Sequence, residues 1–106
     1  MSRHYRLLVL SNCVAGQDIK FNEWYDAHMA HVLKIAGFTA GQRYQRAQTE
    51  PDQGGNYQYL AIFDIETDNI SAVRNAMLSA AGTDEMPSSS AFDGTSFISL
   101  FFEELT

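Results

Sequence analysis

Residues 95–104, TSFISLFFEE, are apolar on both sides of an extended chain: Phe97 and Phe101 fall on one face, Ile98, Leu100 and Phe102 on the other. A strand of that pattern has no side to offer to water, so the sheet it joins must be covered on both faces. Residues 4–12, HYRLLVLSN, make the same demand, with Tyr5, Leu7 and Val9 set against Leu8 and Leu10. The turn-forming VAGQD that follows bounds this first stretch as a short buried strand.

Two helical stretches stand between such strands. Asp18 can cap the first, in which Phe21, Trp24, Tyr25, Met29, Val32, Leu33 and Ile35 recur at three- and four-residue steps until about Lys34. Gly37 then tolerates the positive φ on which many helices end. Residues 38–48 alternate loosely, with Phe38, Ala40, Gln42, Tyr44 and Arg46 expected on one side. TEPDQGGN, residues 49–56, turns the chain into a further strand, residues 57–66, YQYLAIFDIE. Thr67, Asp68 or Asn69 can cap a second helix carrying Ile70, Val73, Ala76, Met77, Ala80 and Ala81 on one face, closed by Gly82. Residues 83–94, TDEMPSSSAFDG, read as a long polar loop whose Pro87 and Ser88 to Ser90 favour mobility.

The order βαββαβ defines an α+β fold, a ferredoxin-like sandwich with a four-stranded antiparallel sheet and two helices on one face. A monomer leaves the other face bare, and its apolar side chains call for a partner. A second copy docking sheet to sheet is the simplest. At 106 residues the chain is expected to form a single domain, 1–106.

Thirteen Asp and Glu against seven Lys and Arg give a net charge of -6, and the cations are scattered. That balance repels a phosphate backbone. The RNA recognition motif shares the βαββαβ order, and GGNYQYLAIF places aromatics on the third strand. The acidic balance, and the lack of a basic residue at that strand's start, argue against nucleic acid as a partner. Cys13 is the only cysteine, which excludes an internal disulfide. The apolar run near the start spans five residues, too short for a signal-peptide core or a membrane span, so a cytoplasmic protein with no membrane partner is expected.

The densest chemistry lies in residues 21–31, FNEWYDAHMAH. With about 100° per residue and Phe21 at zero, His28 projects at about 340°, in the middle of the apolar stripe, and His31 at about 280°, on its border. Glu23, Ala27, Ala30 and Lys34 take the solvent side. A histidine placed like His28 needs a hydrogen-bond partner. Either a strand hydroxyl or carbonyl satisfies it, or it opens into a cleft where desolvation leaves a neutral imidazole able to accept a proton. No metal site is expected: HExxH spacing is absent, and no Cys cluster adds ligands. No Gly-rich loop points to a cofactor. Tyr44, Tyr57 and Tyr59 offer phenols that could orient a ligand, Arg43 could pair with an anionic one, and Asn12 could sit at the mouth of a cleft.

Residues 16–45 together with this order resemble the dimeric α+β barrel superfamily, above all its EthD-like branch and small uncharacterised bacterial relatives. Trp24, Tyr25, His28, Gly37, Phe38, Arg43 and Tyr44 stand in the places of a helix with a W/Y-Y-x-x-H pattern, a PGF-type turn and a strand with an R-Y pair. Met29 and Ala30 replace the usual proline after the histidine, and Ala36 the proline before the glycine. The resemblance implies a homodimer whose sheets form a barrel, with a cleft in each subunit between helices and sheet. It also implies His28 as cleft base, assisted by Tyr25 or a strand tyrosine, with Trp24 beside them. The superfamily includes cyclases, isomerases, cofactor-free monooxygenases and haem-degrading enzymes. The last of these place a histidine on the second helix, where ISAVRNAMLSAAG has none. The resulting expectation is a dimer binding a small apolar carbonyl or phenolic compound, either as a cofactor-independent enzyme or as a non-catalytic, stress-associated binder.

Overall fold

Leu7 on the first strand faces Phe63 on one side and Phe101 on the other, and the next residue, Leu8, faces Ile62 and Leu100. These two rows divide the sheet into a helix-covered and an open face. In the computed structural model, which describes residues 2–48 and 57–105, the elements run β1 (Arg3–Cys13), α1 (Asp18–Val32), β2 (Phe38–Gln45), β3 (Tyr59–Thr67), α2 (Ile70–Ala80) and β4 (Phe92–Glu103). The four strands pair antiparallel in the order β2-β3-β1-β4. The chain therefore has the ferredoxin-like α+β fold. The turn expected at residues 49–56 lies outside the described residues.

The covered face builds the core. Leu7, Ala61, Phe63 and Ile65 project from the sheet, Phe21, Tyr25 and Val32 from α1, and Val73 and Ala80 from α2, all buried. The open face carries Leu8, Leu10, Leu60 and Ile62 in its centre. Around them Ile98, Leu100, Phe102 and Tyr44 are exposed by 37%, 42%, 52% and 49%. That continuous apolar sheet surface matches the two-faced pattern of the last strand. No helix among the described residues is long and apolar enough to cross a membrane.

Local chemistry sets the element ends. Gln17, not Asp18, is the N-cap of α1, and no side chain caps it. Asp18 opens the first turn instead, where a carboxylate favours the positive end of the helix dipole. The helix stops at Val32, two residues short of the expected end. Lys34 and Ile35 already bond three residues back, to the carbonyls of His31 and Val32. Gly37, at φ +103°, then swings the chain into β2. Of the three candidate caps for α2 it is Asn69 that acts, its side chain accepting from the Ala72 N–H at 3.1 Å.

Two expectations change. The register of β2 slips between Phe38 and Ala40, and a bulge of one residue moves every later side chain to the opposite face. Gly41 and Arg43 therefore turn inward with Phe38, while Ala40, Gln42 and Tyr44 face out. The loop after α2 is shorter and more ordered than its composition suggests: β4 begins at Phe92, and Met86 and Ala91 are buried. Gly82 N–H donates to the Met86 carbonyl at 2.9 Å, and Met86 N–H to that of Thr83 at 3.0 Å.

Candidate ligand cavity

The two helices, the β1 and β4 half of the sheet and the segment 86–89 border a cavity of about 380 Å³ that is open to solvent on the side of Arg74, Leu78 and Ser88. That lies toward the small end of the roughly 300–1,000 Å³ typical of small-molecule sites. Leu7 and Val9 of β1, Phe63 of β3 and Phe97 and Phe101 of β4 form its apolar floor. Trp24, Tyr25 and His28 form the α1 wall, and Arg74, Met77 and Leu78 the α2 wall.

The α1 wall follows from helical spacing. Trp24 and Tyr25 precede His28 by four and three residues, the separations at which helix side chains touch. The His28 ring stacks on Trp24, centroids 4.6 Å apart and planes at 22°, and meets the edge of Tyr25 at 5.2 Å and 88°. Its Nδ1 is buried without a hydrogen-bond partner among the described residues. Burial lowers the His28 pKa from 6.5 to about 4, and nearby His31 pushes in the same direction. The imidazole is thus neutral at pH 7. Burial raises the Tyr25 phenol to about 12, against the opposing pull of Arg43, so it stays a hydrogen-bond donor. Trp24 in turn donates its indole N–H to the Pro87 carbonyl at 3.0 Å, fastening the loop across the cavity.

The other sequence-derived candidates do not line this space. Arg43 is clamped on α1, donating to Asn22 Oδ1 at 2.8 Å and Asp26 Oδ1 at 3.1 Å, with its guanidinium 4.6 Å from the centre of the Tyr25 ring. Its charge is spent on a helix-to-sheet tie. Tyr59 is buried against Phe21, and its hydroxyl donates to Asp18 at 3.2 Å. Asn12 donates to the Ser96 hydroxyl at 2.9 Å and accepts from the Gln58 N–H at 3.0 Å. Tyr44 points from the open face. Arg74, Phe92, Phe101 and the segment 86–89 are cavity residues that the sequence reading missed. For Arg74 a signal existed: with Met77, Leu78 and Ala81 it repeats at three-, four- and seven-residue steps, a single helix face.

No protein-family model matches the sequence, and no curated protein matches it. Solved structures do share the fold. A proposed monooxygenase from Shewanella loihica PV-4 aligns with a TM-score of 0.65 at 16% identity, over 100% of this chain and 98% of that one. The heme-degrader MhuD of Mycobacterium tuberculosis, solved with two hemes in its active site, gives 0.62 at 19% identity, covering 96% of each chain. An EthD family protein of Bacillus halodurans C-125 gives 0.60 at 14%, covering 96% and 99%. At these identities the likeness concerns the fold, ferredoxin-like over the whole chain.

Proposed function

We propose that this protein is a small-molecule-binding homodimer whose cavity takes an apolar carbonyl or phenolic compound, and that His28 serves there as a cofactor-independent general base. The observation that carries this reading is His28 itself, a neutral imidazole in the wall of a mainly apolar cavity, oriented by Trp24, with one ring nitrogen buried and unpartnered.

The depressed pKa defines what such a base can do. With no ligand present, protonating His28 puts an unpaired imidazolium among apolar groups, so its proton affinity is low. A substrate that develops negative charge beside it removes that obstacle. As His28 takes a proton from the carbon next to a carbonyl, the C–H electron pair moves into an enolate, and imidazolium and enolate stabilise each other. Tyr25, with its proton firmly held, can donate to the enolate oxygen. Return of the proton to another position completes an isomerisation; in a cyclisation the enolate carbon attacks a second carbonyl carbon, the C=O pair moves onto oxygen, and that alkoxide takes the proton back from the His28 imidazolium.

The open sheet face supports the dimer, because Ile98, Leu100 and Phe102 need cover. The haem of the mycobacterial neighbour is not carried over. The α2 wall offers Arg74, Met77, Leu78 and Ala81 and no imidazole, and the one histidine in the cavity is stacked under an indole.

Exchange of the methyl protons of 2′,4′-dihydroxyacetophenone into deuterated water, followed by NMR, tests the base. Wild-type protein is expected to accelerate exchange and to show ligand-induced shifts at His28 and Trp24, whereas His28→Ala keeps binding and loses the acceleration. Undiminished exchange in His28→Ala removes the base assignment. Shifts without accelerated exchange in the wild type favour the non-catalytic binder. Sedimentation equilibrium tests the dimer, with Leu100→Asp expected to yield monomers and a monomeric wild type refuting it.

A further inference from the structure

We infer that Arg74 is the anion anchor of the cavity, so that the ligand is an organic anion: a ring-sized apolar body over Trp24 and His28, carrying a carboxylate or similar group that meets the Arg74 guanidinium at the α2 wall. The inference rests on the cavity reading above and narrows its substrate class.

Three observations carry it. The first is the charge of the lining. Although the chain has thirteen Asp and Glu and a net charge of -6, the cavity lining includes one arginine, the solvent-exposed Arg74, and no carboxylate among the described residues. The second is the state of that guanidinium. Arg3 pairs with Glu103, Arg6 with Asp64 and Arg43 with Asp26, whereas Arg74 has no ion pair or hydrogen bond among the described residues. An exposed arginine at the open side of an apolar cavity, with no carboxylate holding it, keeps its fork of donors available to a planar anion that enters there.

The third is the company it keeps. Ser88 and Ser89 line the same cavity. Ser89 Oγ accepts from the Ala91 N–H at 3.1 Å, which leaves its hydroxyl proton free to donate. Guanidinium and hydroxyls all donate, and such a set suits an acceptor-rich group rather than a second cation or a neutral hydrocarbon. The anion that sequence reading gave to Arg43 of β2 is thus assigned to Arg74 of α2, because Arg43 is already held by Asn22 and Asp26.

A matched pair of probes tests this. 1-Anilinonaphthalene-8-sulfonate has an aromatic body with a sulfonate, and N-phenyl-1-naphthylamine has the same body without it. Binding is read from the indole N–H resonance of Trp24, the only tryptophan and a cavity residue, which separates cavity binding from adsorption on the open sheet face. The sulfonate is expected to bind more tightly than the neutral amine to wild-type protein. Arg74→Gln should weaken the sulfonate about tenfold while changing the neutral probe by less than about twofold. Arg74→Lys should recover part of the loss and Arg74→Glu should deepen it. If Arg74→Gln affects both probes equally, or neither, the anchor is wrong while the cavity stands. If neither probe moves the Trp24 resonance, the cavity reading fails and the anchor with it.

Discussion

Lowering the pH from about 7.5 to about 5 should destabilise this protein through His28, and replacing that residue with phenylalanine should remove the effect. In the folded chain the imidazole is held near pKa 4, chiefly by burial, against 6.5 when free. A shift of that size corresponds to about 3 kcal/mol between protonation states. Because the folded pKa is the lower, the unfolded chain takes up the proton first. Stability is unaffected above about pH 6.5, falls as the pH drops through the interval from 6.5 to 4, and has lost the full amount below it. At pH 5 the linkage relation gives about 2 kcal/mol. Phenylalanine retains a flat ring against Trp24 and cannot titrate. Urea unfolding by far-UV circular dichroism, at one protein concentration because a dimer's stability depends on it, should show wild type losing about 2 kcal/mol more than His28→Phe between the two pH values. Equal losses would refute the claim that His28 is buried as a neutral group, and with it the electrostatic part of the base mechanism.

Gly37→Ala should cost about 2 kcal/mol or more. The residue sits at φ +103°, a region unfavourable to any Cβ, and the new methyl would lie 2.9 Å from Val73 Cγ2. A urea midpoint within error of wild type would show that the turn after α1 can relax. Ser11→Ala should have the opposite sign, a gain of about 1 kcal/mol, since Ser11 is buried with its hydroxyl unpartnered among the described residues. A loss of stability would mean that the hydroxyl has a partner in solution.

The parts of this protein legible in its sequence are those governed by short-range periodicity. A spacing of three and four residues suffices to bring Trp24, Tyr25 and His28 onto one helix face, because a helix fixes such neighbours without reference to the rest of the chain. Alternation along residues 95–104 likewise showed two apolar faces, and the order of strands and helices left few topologies to choose from. What sequence could not reveal was which distant side chains meet. A one-residue slip in β2 turned Arg43 toward α1, where Asn22 and Asp26 hold it, and sent Tyr44 to the opposite face. Arg74, unremarkable in a line of helical residues, came to the cavity only because α2 packs on the same sheet face as α1. The imidazole's place on the helix was set by local sequence. The cavity in front of it, and the arginine across from it, were decided by the packing of helices on sheet, since alternation carries no record of a bulge and spacing within one helix says nothing of its distance from another.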